Sequence, residues 1–217
     1  EMSSSGRGQV LIPWPNRLQD GTYDFDGQHH RLPLNEPERH NAIHGLVRWT
    51  PWTIVEREAD RVTMEHVLHP QPGYPFSLRI RIEYGLSHGG LKVRTTATNI
   101  GSDACPYGSG AHPYLTLGTA TINRLELRAP ARTVLQSDER GLPIGAQAVE
   151  GTEYDFRKLR RIDSTVLDHA FTDLERDHDG LARVELRDPD SKTQVSLWVD
   201  QSYSHLMLFT GDPGLTH

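Results

Sequence analysis

The stretch SLRIRIEYGLSHGGLKVRTTATNI, Ser77 to Ile100, decides the fold class. Leu78, Ile80, Ile82 and Tyr84 fall at alternate positions, with Arg79, Arg81 and Glu83 between them. Successive side chains on a strand point to opposite faces, so this stretch presents one apolar and one charged face. SHGG (87–90) has the composition of a hairpin connection, and LKVRTTATNI (91–100) alternates again with β-branched residues. Alternation of this kind marks antiparallel sheet, buried on one side and wet on the other.

The same pattern returns in RVTMEHVLH (61–69), NRLELRAP (123–130), LARVELRDP (181–189) and TQVSLWVD (193–200). DPDSK (188–192) reads as the turn joining the last two of these runs, and FDGQ (25–28) as an Asp-Gly hairpin turn. No long window places apolar residues at helical spacing between proper caps. Repeats, low-complexity blocks and linkers are absent from the sequence, so the expectation is all-β: one large antiparallel β-sandwich domain over 1–217.

Composition narrows the function classes. The net charge of -6 disfavours non-specific nucleic-acid binding, which needs a basic face. No run approaches the roughly 20 apolar residues of a membrane helix. Cys105 is the sole cysteine, so an intrachain disulfide or a multi-cysteine zinc site is excluded, and a cytoplasmic location is expected. Twelve histidines invite a metal reading, but their spacing does not support one. His29 and His30 are adjacent on an expected strand, would face opposite ways and read as surface residues. His66 and His69 read as incidental. His40 stands four residues before His44, but Gly45 argues against a helix there. No metal ligand is assigned.

Three segments carry candidate chemistry. In IPWPNRLQDGTY (12–23), two prolines bracket Trp14, and Arg17 follows Asn16 on what reads as a stiff, extended loop. Its planar donor fork suits a polyhydroxylated ligand, with the Asn16 amide beside it. In ERHNAIHGLVRW (38–49), His44 precedes a glycine at which backbone could approach a ligand closely. In GSGAHPYLTLG (108–118), His112 lies between a flexible approach and the rigid Pro113, where a positioned acid or base would be delivered. Asp168, in TVLDHAFTDL (165–174), could accept hydrogen bonds from hydroxyls or serve only as a turn residue.

Taken in order, PWPNRLQDGTYDFDGQHHRLPLN, HNAIHGL, PGYPFSLRIRIEYGL, GSGAHPYLTLG, GLPIG and LDHAFTDL resemble the aldose 1-epimerase (galactose mutarotase) family, in its bacterial aldose epimerase-like branch. The resemblance runs from about Gly8 to Gly211. It departs at Leu115, where the family more usually has Phe. It implies a galactose mutarotase-like supersandwich that interconverts the α and β anomers of a free aldohexose and needs no cofactor. The implied partner is a monosaccharide of glucose or galactose type, with neither nucleic acid nor membrane; monomer and homodimer both remain open. His112 matches the general acid and His44 a second active-site histidine. Asn16, Arg17 and Asp168 match sugar-binding positions, and Tyr114 lies in the acid-bearing motif.

One partner has no counterpart. The family's general base is a glutamate after a strand like HLMLFTGD, and the sequence stops at His217, where that segment is expected to begin. Glu1 precedes Met2, so both ends are expected to extend further. Glu185, Asp200 and Asp212 do not match the base position. The alternatives are a non-catalytic carbohydrate-binding protein on the same fold and an epimerase of a phosphorylated hexose.

Overall fold

The Ser77–Ile100 hairpin forms as β8 (Leu78–Ser87) and β9 (Gly90–Asn99), paired without slippage from Leu78 opposite Asn99 to Ser87 opposite Gly90. Leu78, Ile80 and Ile82 are buried, while Arg79 and Arg81 are exposed. Full burial of each such aliphatic side chain contributes about 1.5–3 kcal/mol. On β9 the alternation is not matched by burial. This is an edge strand, and Leu91 and Val93 are both exposed.

The computed structural model describes residues 6–211. Among them there is no α-helix, only a 3-10 turn at Pro37–Arg39. It follows that no helix among them is long and apolar enough to cross a membrane. The chain divides into two compact units, Glu1–Tyr114 and Leu115–His217. The expectations about extended ends, and Asp212, fall outside the described residues.

In the first unit, strands β1 (Val10–Leu11), β2 (Arg17–Gln19), β3 (Thr22–Phe25), β4 (Gln28–Arg31), β5 (Asn41–Ile43), β6 (Thr53–Arg57) and β7 (Arg61–Leu68) precede β8 and β9, and β10 (Gly110–Ala111) follows. The main sheet has the order β6-β7-β8-β9. Its core gathers Leu68, Leu78, Ile80 and Ile82 with Ile12, Leu32, Val47 and Tyr74. The Asp-Gly turn forms as read, joining β3 to β4 with Asp26 and Gly27 both at positive φ (49° and 71°). His29 and His30 do point oppositely, but His30 is not a surface residue. It is buried and stacked on Tyr23, with ring centroids 4.9 Å apart.

In the second unit, β11 (Glu126–Arg128), β14 (Arg160–Arg161), β16 (Ala182–Arg187) and β17 (Gln194–Val199) form one antiparallel sheet. β12 (Ala131–Ser137), β13 (Pro143–Ala148), β15 (Asp168–Leu174) and β18 (Leu206–Phe209) form another. Leu127 and Val184 from the first sheet share one core with Val134, Phe171 and Leu206 from the second. Two sheets closing on one apolar interior are the layered arrangement that alternating strands require. The DPDSK turn is closed by Asp188, whose carboxylate accepts hydrogen bonds from the Asp190 N–H and the Ser191 hydroxyl, both at 3.0 Å.

Candidate active site

The β2–β5 ladder pairs Arg17 with Ile43 and Gln19 with Asn41. Just beyond its end, Asn16 and His44 face each other, and both have left-handed backbone (φ 59° and 65°). Asn16 is therefore not extended as the sequence reading had it; Arg17 is the residue that opens the strand. The His44 N–H donates to the Asn16 carbonyl at 2.9 Å, and the Asn16 N–H donates to His44 Nδ1 at 3.1 Å. With Nδ1 accepting, the neutral imidazole carries its proton on Nε2, which is left as a donor.

Glycines weld the motifs together. A Cβ on Gly45 would sit 2.1 Å from the Ile12 carbonyl oxygen, so the close approach at this glycine is to the chain's own backbone. Leu46 N–H donates to the same carbonyl at 2.7 Å. A Cβ on Gly110 would sit 2.7 Å from the Pro15 Cβ. GSGAH can thus run directly against PWPN.

His112 is clamped at its backbone. β10 pairs with β1, Ala111 opposite Val10, and the pairing continues past both strands. Gly8 N–H donates to the His112 carbonyl at 2.9 Å, and His112 N–H donates to the Gln9 carbonyl at 3.1 Å. The His112 ring meets His44 edge-on, with centroids 5.6 Å apart and planes at 89°. Tyr114 stacks on the same ring at 5.3 Å and 13°. Gly6 lies against it too, since a Cβ there would be 3.4 Å from His112 Cδ2.

Arg17 is not offered whole to a ligand. Its Nε donates to Glu36 Oε2 at 2.9 Å and its Nη2 to Glu36 Oε1 at 2.9 Å, while Nη1 reaches Asn16 Oδ1 at 3.3 Å. Burial pushes the Glu36 carboxyl up. Its hydrogen bonds from Arg17 and Asn41, with the Arg17 and Arg39 charges, outweigh this and hold it below the ordinary carboxylate range.

Burial lowers His44, and the Arg48, His112 and Arg17 charges lower it further, to about 4. His44 is therefore neutral at pH 7. Arg48 Nε donates to Gln9 Oε1 at 2.8 Å, which leaves the buried Gln9 Nε2 without a partner among the described residues. Trp14 Nε1 and Ser109 Oγ, from the two flanking motifs, are likewise buried and unpartnered. Buried donors of this kind call for a ligand or water. A recess of about 260 Å³ is lined by Gln9, Arg48, Trp49 and Trp52, among others, but by neither histidine. Acid–base chemistry requires a titratable group within reach of the reacting atoms, so the histidine pair, not this recess, defines the candidate centre.

Asn16, Arg17, His44, His112 and Tyr114 all belong to the first unit: Asn16 and His112 meet His44, Arg17 donates to Asn16, and Tyr114 stacks on His112. Asp168 belongs to the second unit, as the exposed first residue of β15, where its own N–H donates to His169 Nδ1 at 3.2 Å. His40 turns to Asp20, with Nδ1 2.8 Å from Oδ1. The sequence reading missed Gln9, Glu36 and Arg48. Arg48 lies in ERHNAIHGLVRW (38–49), four residues after His44. Gln9 and Glu36 carry no local signal, because only tertiary pairing gives them a role.

The sequence matches the aldose 1-epimerase family over residues 2–215. It is 37% identical over 213 residues to YihR, an uncharacterized protein of Escherichia coli, covering 98% of this chain and 67% of that one. It is 32% identical to human galactose mutarotase over 162 residues, 70% of this chain and 45% of the relative. A galactose mutarotase-like protein from Clostridium acetobutylicum superposes with a TM-score of 0.80 at 21% identity, over 93% of this chain and 64% of that one. A galactose 1-epimerase from Lactobacillus acidophilus does so at 0.71 and 26%, over 85% and 59%. The chain belongs to the aldose 1-epimerase family, and its fold is the all-β, galactose mutarotase-like sandwich. It spans about half to two thirds of the length of these relatives.

Proposed function

We propose that this protein is an aldose 1-epimerase acting on a free aldohexose of glucose or galactose type. The observation that carries this reading is the edge-on pair of His44 and His112, with His44 fixed as a neutral Nε2–H donor. Mutarotation needs a proton delivered to the ring oxygen while O1 loses one. Protonated His112 gives its proton to O5 as the C1–O5 bond breaks, while O1 passes its proton to water, so that a neutral open aldehyde forms. His44, which stays neutral, donates a hydrogen bond to a sugar oxygen and stabilises developing negative charge there without titrating. The open aldehyde turns about C1–C2. The ring closes on the other carbonyl face: O5 attacks C1 and returns its proton to His112, and O1 regains a proton from water.

Asn16 and Arg17 hold hydroxyls on the His44 side, and Tyr114 supports the His112 ring. Glu185 is paired with Arg128 (2.9 Å) and Asp200 accepts from the Ser202 N–H (2.9 Å), so neither is given the role of base. The reaction requires no cofactor.

Polarimetry on freshly dissolved α-glucose and α-galactose tests the proposal. The expected result is relaxation to the anomeric equilibrium faster than in buffer, in proportion to protein. Sugar binding with relaxation at the buffer rate would instead make this a carbohydrate-binding protein.

A further inference from the structure

Glu36 stands in none of the motifs that point to sugar chemistry, yet its carboxylate accepts hydrogen bonds from both Arg17 and Asn41. It lies opposite Asn41 in an isolated bridge, where each residue's N–H donates to the other's carbonyl at 3.1 Å. Asn41 is fully buried and its Nδ2 donates to Glu36 Oε2 at 3.0 Å. Asn41 is also the partner of Gln19 on β2, the strand that begins with Arg17. Strand, bridge and carboxylate therefore close a loop around one guanidinium, with the Arg17 and Glu36 side chains only 12% and 11% exposed.

We infer that Glu36 is a positioning residue: it occupies the Nε–Nη2 edge of Arg17 and thereby presents the remaining Nη1–Nη2 end to the sugar. A guanidinium has five N–H donors in a fixed plane. Glu36 takes one from Nε and one from Nη2, and Asn16 takes one from Nη1. One N–H on each Nη is left, a planar pair matched to two neighbouring hydroxyl oxygens. Buried ion pairs are poor sources of net stability, so fixing an orientation is the contribution this pair is suited to make. This inference rests on the sugar-site reading of Arg17.

The test compares wild type with Glu36→Gln, Arg17→Lys and the double variant, by polarimetric KM and kcat and by calorimetric binding of galactose and glucose. Glu36→Gln is expected to raise KM and Kd about tenfold with kcat nearly unchanged. In the double variant the effect of Glu36→Gln is expected to vanish, because there is no fork left to orient. Unaltered KM and Kd in Glu36→Gln overturn the positioning role and leave the epimerase reading standing. Glu36-dependent sugar binding without accelerated mutarotation sinks the epimerase reading and upholds the positioning role. Failure of wild type to bind either sugar overturns both.

A wild-type measurement covers the case in which Glu36→Gln does not fold. The nitrogen-15 NMR signal of Arg17 Nε–H, assigned by its loss in Arg17→Lys, is expected to resist exchange with water and to stay in place on sugar addition while the Nη signals move. An Nε–H signal that exchanges freely, or that moves most with sugar, overturns the inference.

Discussion

Asn16 and His44 hold each other by two reciprocal hydrogen bonds, backbone to backbone at 2.9 Å and backbone to ring at 3.1 Å. A main-chain N–H, which cannot change its protonation, thereby dictates which nitrogen of the imidazole carries hydrogen. The two histidines are differentiated by this contact: His44 is a fixed donor, and in the proposed reaction the proton-transfer role falls to His112.

His112→Ala should lower kcat by about 10²–10⁴-fold, the usual contribution of one positioned acid. The fold should stay intact, because the His112 backbone clamps do not involve the side chain, although loss of the ring contacts with His44 and Tyr114 lowers thermal stability somewhat. Polarimetry and a thermal melt on the same preparation check this; undiminished turnover would remove the acid assignment.

His44 gives a pH dependence of stability with a defined sign. Its value in the folded chain is about 4, against about 6.5 when unfolded. Between these values the unfolded chain binds a proton that the folded chain refuses. Stability is therefore undiminished above pH 6.5 and falls as pH drops toward 4, by at most about 1.4 kcal/mol per pH unit. His44→Gln should abolish that slope. Urea midpoints of both proteins at pH 7, 5.5 and 4.5 would show it, and parallel curves would refute it.

Arg17→Lys should weaken sugar binding about tenfold or more, since a single ammonium cannot satisfy Glu36 and hydroxyls in one plane. Calorimetric titration with galactose is the measurement, and unchanged affinity would exclude a contact between Arg17 and the sugar.

Gly45→Ala should destabilise the fold by more than about 3 kcal/mol. Its φ of 71° disfavours a side chain, and the new methyl would land on the Ile12 backbone, which is itself buried. Denaturant unfolding checks this; a drop below about 1 kcal/mol would show that the His44 and PWPN segments are not locked together there.

The hairpin at 77–100, the Asp-Gly turn and the DPDSK turn were all legible in the sequence, because alternation and turn chemistry are local signals. What failed locally was burial. His30 looked polar and exposed, yet it packs between Tyr23 and Phe76, and the alternation of 91–100 has no matching burial, because Leu91 and Val93 are exposed on an edge strand. The site divides along the same line. His44 and His112 could be picked out beside glycine and proline, but the use of those glycines could not be. Gly45 and Gly110 make room for neighbouring chain, 33 and 95 residues away in sequence, which no local reading shows. Glu36 was invisible for the same reason: its partner is 19 residues off on another strand.

The clamp on His112 has a kinetic consequence. Its two main-chain bonds join residues more than a hundred positions apart, and the bond from the Asn16 N–H to the His44 ring spans 28. Contacts of such separation form slowly and late, because loop closure must come first. During refolding from denaturant, local hairpin signals should therefore return before any rate enhancement does, and turnover should reappear only with the last cooperative phase.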